Sequence, residues 1–219
     1  MDWSPLTISI KVSVAAAILS IAIGIPVAYA LSKKRFSGKA IAQGFVIVPL
    51  VLPPTVLGYL LLVMLGRESP LGVAYERLFG QPLVFTWEGA AFAASIASLP
   101  LLITQARIAF DGVDRDIEDS ARVCGAGELQ IFLRITLPLS SRGVVAGVAL
   151  AFARALGDFG ATLMVAGSIP GRTRTMPLAI YDAMQTGDDR TLVVFVVIAS
   201  VLTIAFTLAA SAYAANSSV

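Results

Sequence analysis

The chain has no histidine and a single cysteine, Cys124, in 219 residues. Without histidine it lacks the commonest metal ligand and the one side chain that ordinarily titrates near neutral pH. One cysteine cannot form an intramolecular disulfide. Charge is scarce as well. Asp, Glu, Lys and Arg make up 14% of the residues, where an ordinary soluble domain carries about 25%. The net charge of +2 is too small for an electrostatic footprint on nucleic acid, so no nucleic-acid partner is expected. No Walker A sequence occurs, because Gly38-Lys39 has neither the upstream glycine nor a following Ser or Thr.

What is present is apolar: 57% of the residues are hydrophobic. Uncharged apolar runs cover 12–32, 40–66, 89–106 and 191–219, and a fifth, 143–171, is interrupted only by Arg154 and Asp158. A helix needs about 20 residues to cross a hydrocarbon core of about 30 Å. The expectation is therefore an all-α membrane protein, one domain over 1–219, with spans near 6–32, 40–66, 88–108, 142–167 and 191–215 and a charged loop at 109–141. The run ending Ala28-Tyr29-Ala30 could pass for a signal peptide, but its basic cluster, Lys33-Lys34-Arg35, follows it instead of preceding it. Cleavage is not expected.

Basic residues set the orientation. Lys33, Lys34, Arg35 and Lys39 crowd the first connection, and Arg107, Arg115, Arg122, Arg134 and Arg142 the third. The other two hold only Arg67 with Arg77, and Arg172, Arg174 with Arg190. The first and third connections are thus expected in the cytoplasm. Five spans then put the N-terminus outside and the C-terminus inside.

Several spans carry breakers. Gly24 and Pro26 should bend or unwind the cytoplasmic third of the first. Pro49 reads as a packing kink in the second, whereas Pro53-Pro54 near mid-membrane reads equally as a kink or as a break lining a pathway. Residues 67–88 and 168–190 are expected as external connections, the latter with one short surface helix over 178–184. In the fourth span Gly143, Gly147, Ala151 and Ala155 recur every four residues, as do Ala149, Ala153, Gly157 and Ala161. Such ridges let helix backbones approach closely. Arg154, Asp158 and Thr162 share the same spacing and make a polar stripe. Buried charges in membranes usually pair and face a bundle interior or an aqueous path. The pair is either a structural lock or part of a translocation path or gate.

Between the third and fourth spans the chain reads Asp119-Ser120-Ala121, three residues, Gly125, nine residues, Ile135-Thr-Leu137-Pro138. Asp114, Asp116, Glu118 and Asp119 crowd the start of a short helix, where acids suit the macrodipole. Gly125 and Gly127 then turn the chain, and a second short helix, 128–136, ends at Leu137-Pro138. This segment resembles the cytoplasmic coupling loop of ABC-importer permease subunits: Glu-Ala-Ala, three residues, Gly, nine residues, Ile-x-Leu-Pro. Asp119 and Ser120 depart from that pattern. The resemblance extends to Pro49-Leu-Val-Leu-Pro-Pro54 with Gly58-Tyr59, to Ala151–Thr162, and to Ile169-Pro-Gly-Arg-Thr-Arg-Thr175. These look like the molybdate and tungstate branch of the sulfate-related oxyanion permeases, which usually has Glu where this chain has Asp158.

The resemblance implies half of a translocation pathway for a tetrahedral oxyanion, working with a second permease copy, two cytoplasmic ATP-binding subunits and an external oxyanion-binding protein. It implies ATPase coupling through Asp119, Ser120, Ala121, Gly125, Ile135, Leu137 and Pro138; the breakers and the charged stripe themselves make Pro53, Pro54, Arg154, Asp158 and Thr162 the candidates for a path or gate, with helix packing as the other reading. No cofactor is expected in this chain, since ATP and magnesium would sit on the ATPase, and no catalytic role is expected. A sulfate or thiosulfate permease is the near alternative. An ATP-independent secondary transporter is a remoter one, since it would need no such loop. An intramembrane enzyme lacks a plausible catalytic set.

Overall fold

The structure, a computed structural model, describes residues 2–34 and 37–216, apart from the side chains of 210, 211 and 213–216. Arg35, one of the basic residues of the first connection, lies outside the described residues. Every regular element among them is helical. Three helices are long and apolar enough to cross a membrane: α1 (Ser4–Lys33), a second over Trp87–Asp111 and a last over Asp189–Asn216. The count reaches five if each of two bent helix pairs crosses as one.

The first bent pair is α2 (Lys39–Val51) with α3 (Pro54–Leu65), joined at 107°. The stretch expected as a single span over 40–66 is therefore two helices. Leu52 and Pro53 are extended, at ψ 140° and 134°. A proline disfavours the helical region for the residue before it, and consecutive prolines at 53 and 54 impose that bias on Leu52 and Pro53 together, which favours the corner. Pro49 does not break α2, which continues to Val51. Nor do Gly24 and Pro26 unwind α1, which is helical throughout. A β-carbon on Gly24 would lie 3.1 Å from the Leu102 side chain, so its use is close packing.

Residues 67–88 are not a bare connection. They contain α4 (Pro70–Phe79), whose start is capped by Ser69 Oγ accepting from the Gly72 N–H at 2.9 Å and whose end is closed by Gly80 at φ +72°. The next helix, α5 (Trp87–Asp111), is the centre of the molecule, and α1 packs along it. Its first half buries small residues (Ala90, Ala91, Ala93, Ala94, Ser95, Ala97 and Ser98), and its second half buries larger ones, Leu102, Ile103 and Phe110 among them. Ser20 Oγ and Ser98 Oγ lie 3.2 Å apart, a polar pin between the two helices.

Beyond α5 the charged loop folds into α6 (Arg115–Val123), α7 (Glu128–Ile131), a π-helical turn at Phe132–Thr136 and α8 (Leu137–Leu139). Then come α9 (Ser141–Leu156), α10 (Gly160–Ala166), α11 (Met176–Thr186) and α12 (Asp189–Asn216). The stretch expected as one span over 142–167 is interrupted at 157–159, between α9 and α10. The ridge at Gly143, Gly147, Ala151 and Ala155 meets α5. A β-carbon on Gly143 would fall 2.4 Å from that of Ala109, and one on Gly147 3.0 Å from that of Gln105. The 178–184 segment is longer than expected and is not a free surface helix, because Met176, Leu178, Ala179 and Ala183 are buried. Its first N–H, at Met176, donates to Ser9 Oγ of α1 at 2.7 Å.

Gly143→Leu should lower the melting temperature of the detergent-extracted protein, since overpacking costs roughly 1–3 kcal/mol. Gly44→Ala, where nothing lies within 4 Å of the new methyl, should leave it unchanged or raised. Equal behaviour of the two variants contradicts close α5–α9 packing.

Candidate functional site

Two constellations gather the expected residues, one in the charged loop and one at the two helix breaks. In the loop, α6 ends in a Schellman motif: Gly125 N–H donates to Arg122 O at 2.9 Å and Ala126 N–H to Ala121 O at 3.0 Å. That closure needs the left-handed φ of +86° that Gly125 adopts. Across the turn Arg122 holds α7 to α6. Its Nε and Nη2 donate to the two Glu128 carboxylate oxygens at 2.6 and 3.1 Å, and Nη1 donates to Asp119. The guanidinium keeps the Glu128 carboxyl below the usual carboxylate range, chiefly through these hydrogen bonds. Asp119 and Ser120 are exposed, Ala121, Ile135 and Leu137 half-buried, and Pro138 exposed.

Pro138 does not end the second helix as expected. It has no N–H for the carbonyl of residue 134, and the backbone widens into a π turn in which Leu137 N–H donates to Phe132 O. The chain swings into α9 one step later, at Ser140, with a 78° bend. Around this frame the loop leaves large apolar side chains in the open, with Val123 89% and Leu129 70% exposed. Both lie in the charged loop outside the long apolar helices, the kind of patch a protein partner covers.

The residue that reading the sequence missed here is Glu118. It is the only buried residue of α6. Its carboxylate meets Lys33 Nζ of α1 at 3.0 Å and accepts from Thr136 Oγ1 at 2.7 Å. Position in the acidic run gave no hint of this, because the cation lies at the end of a helix far earlier in the chain. Next to it Tyr29 contacts Phe132 and Phe110 edge-on, with ring centroids 4.7 and 5.9 Å away.

At the second constellation the break between α9 and α10 lies against the corner between α2 and α3. A β-carbon on Gly160 would be 2.7 Å from that of Pro54, and one on Gly58 would be 2.9 Å from the Ala161 Cα. Arg154, Asp158 and Thr162 are not a stripe on one continuous helix. Asp158 sits in the interruption and links its two sides. Oδ1 accepts from Arg154 Nη1 and Oδ2 from the Thr162 N–H, both at 2.9 Å. Thr162 Oγ1 returns a hydrogen bond to Asp158 O at 3.1 Å.

The Asp158 side chain is 0% exposed and that of Arg154 27%. The carboxylate is therefore sealed, while the guanidinium opens onto a cavity of about 500 Å³ lined also by Pro54, Thr55, Phe159 and Gly160. Pro53 stands at the corner beside it. Chemically, this is a fixed planar cation with unused N–H groups facing a space at a double helix break. Such a site can contact an anion, and the sealed carboxylate holds it in place. Among the described residues no group of His, Cys, Asp and Glu is arranged to hold a metal.

Residues 20–217 match the family described as binding-protein-dependent transport system inner membrane component. The chain is 45% identical over 185 residues to the molybdenum transport system permease protein ModB of Escherichia coli strain K12, covering 84% of this chain and 81% of that one. It is 41% identical over 187 residues to the putative molybdenum transport system permease protein YvgM of Bacillus subtilis strain 168, covering 85% and 82%. Among solved structures, an inward-facing MetNI methionine ABC transporter chain superposes with a TM-score of 0.74 at 16% identity, over 98% of this chain and 96% of that one. At that identity the likeness speaks for the fold alone. The chain is thus a multi-pass membrane protein of the binding-protein-dependent transport system inner membrane component family.

Proposed function

We propose that the chain is the permease subunit of an ATP-driven importer of a tetrahedral oxyanion, molybdate or its congener tungstate. The observation that carries this reading is the 45% identity to a molybdenum permease across most of both chains. The working unit is two copies of the chain, two cytoplasmic ATPases that bind ATP and magnesium, and an external binding protein that delivers the anion. The basic connections at Lys33–Lys39 and Arg107–Arg142 lie in the cytoplasm, with the N-terminus outside and the C-terminus inside. The two connections meet where Lys33 pairs with Glu118 and, just before it, Ser32 with Asp111, which supports placing both on one side.

In this reading the loop with Asp119, Ser120, Ala121, Gly125, Ile135, Leu137 and Pro138 docks on the ATPase. The exposed Val123 and Leu129 supply apolar contact. ATP-driven closure of the ATPases draws the two loops together, and α9, continuous with the loop through Ser140, carries the movement to the Arg154 cavity. Arg154 offers the anion a planar fork, and Pro53, Pro54 and Thr162 shape the break around it. A single half-buried cation, already paired with Asp158, binds weakly enough to release the anion, as a pathway requires.

Two outcomes test the reading. A β-branched residue at Gly125 must leave the left-handed region or bear a cost of about 1–2 kcal/mol, while open space around the position rules out a clash. Gly125→Val should therefore insert normally but lose ATPase co-purification and most molybdate uptake, with Gly125→Asn much milder. Wild-type uptake by the valine variant removes Gly125 as the hinge.

For the buried pair, Arg154→Gln or Asp158→Asn alone leaves an uncompensated charge and should reduce assembled protein. The double variant keeps an oxygen for the Thr162 N–H and should restore assembly. Its uptake should stay below wild type by about tenfold, since removing a charged hydrogen-bond partner of the anion costs roughly 1.5–3 kcal/mol. Uptake that recovers together with assembly makes the pair a structural lock.

A further inference from the structure

Glu118 joins three elements. It belongs to α6, its cationic partner Lys33 is the last residue of α1, and its hydroxyl partner Thr136 ends the π turn that leads into α9. The junction is closed to solvent, with Glu118 2% and Lys33 10% exposed. Thr136 is fully buried, and its carbonyl accepts from Ser140 Oγ, at the bend into α9, at 2.6 Å. The end of α1 is fastened again one residue earlier, where Ser32 Oγ donates to Asp111 of α5 at 2.6 Å. Every other acid of the first turn of α6 is solvent-exposed.

An ionised carboxylate buried this far is retained only with good partners, and removing one is far more damaging than exchanging both. A surface helix needing only to stay folded would gain nothing from such a group, which the other α6 acids show by remaining in water. We infer that the Lys33–Glu118–Thr136 junction is a positioning element for coupling: it makes α6 rigid with α1 and with the start of α9, so that a displacement applied to α6 reaches both helices. This inference rests on the reading of the loop as the ATPase-docking element. Without the junction, α6 follows the ATPase while α1 and α9 lag, and hydrolysis proceeds without transport.

The test uses the complete transporter, with ATPase and binding protein, in vesicles where ATP hydrolysis and molybdate uptake are measured together. Glu118→Gln keeps an oxygen for Thr136 and removes only the ionic bond, and Lys33→Met keeps the aliphatic stem. Both should co-purify with the ATPase and hydrolyse ATP near the wild-type rate. Uptake per ATP should fall about tenfold, within the range by which residues in a coupling network shift coupling. The reversed pair K33E/E118K, which restores opposite charges, should recover most of that ratio. Wild-type uptake per ATP in both single variants overturns the inference, and so does a reversed pair no better than the singles.

A purely structural role lowers the amount of assembled transporter without changing uptake per ATP in what assembles. If E118Q fails to accumulate, the reversed pair decides alone: coupled uptake supports the joint and uncoupled hydrolysis overturns it. The docking reading is tested separately by Val123→Asp, which places a charge on the exposed apolar face. Undiminished ATPase binding and uptake there sinks the docking reading itself, whatever Glu118 does.

Discussion

Inside an apolar layer, a helix that stops must find partners for the N–H and C=O groups it frees, because no water is there to take them. The molecule meets that constraint at its centre with one carboxylate. Asp158 occupies the interruption between α9 and α10, accepts the Thr162 N–H on one oxygen and neutralises Arg154 with the other. The break can then exist, and it opens the space against the Pro53-Pro54 corner. Two interruptions of different origin, one made by proline stereochemistry and one by a buried acid, face each other across Gly160 and Pro54. The guanidinium is the part of the pair left accessible.

The same economy of charge appears at the loop. Here the buried carboxylate is Glu118, and its partners come from α1 and from the π turn. The rest of the loop's ionic pairing, Arg122 with Asp119 and Glu128, lies in water and carries little stability. Its use is geometric: the fork on Glu128 sets the angle of α7 across the Gly125 turn. Together the buried and exposed pairs make the loop a shaped end to the bundle that presents apolar side chains outward. Small residues along α5 and α9 let the helices behind it pack closely.

Much of this was legible in the sequence, and the failures have physical reasons. The Gly125 turn could be read because a left-handed closure demands glycine at one offset. The α9 ridge was legible because small residues at a spacing of four have few other uses. The break at 157–159 was not, since residues four apart fit a continuous helix as well as a capped interruption, and periodicity cannot separate the two. The role of Glu118 was invisible because its partner is remote in sequence. Helix α4 was missed although Ser69-Pro70 and Gly80 are ordinary start and stop signals; the expectation of a loop between two spans overrode them. The left-handed Phe85, at φ 60°, had no signature at all.

The central claim is that this chain conducts an oxyanion only when an ATPase drives it. Its most direct test is uptake of radiolabelled molybdate into vesicles containing the chain with its ATPase, with binding protein added on the delivery side. The account predicts accumulation that requires hydrolysable ATP and the binding protein together and that is inhibited by tungstate. Equal accumulation with a non-hydrolysable analogue, or with the ATPase left out, would contradict it.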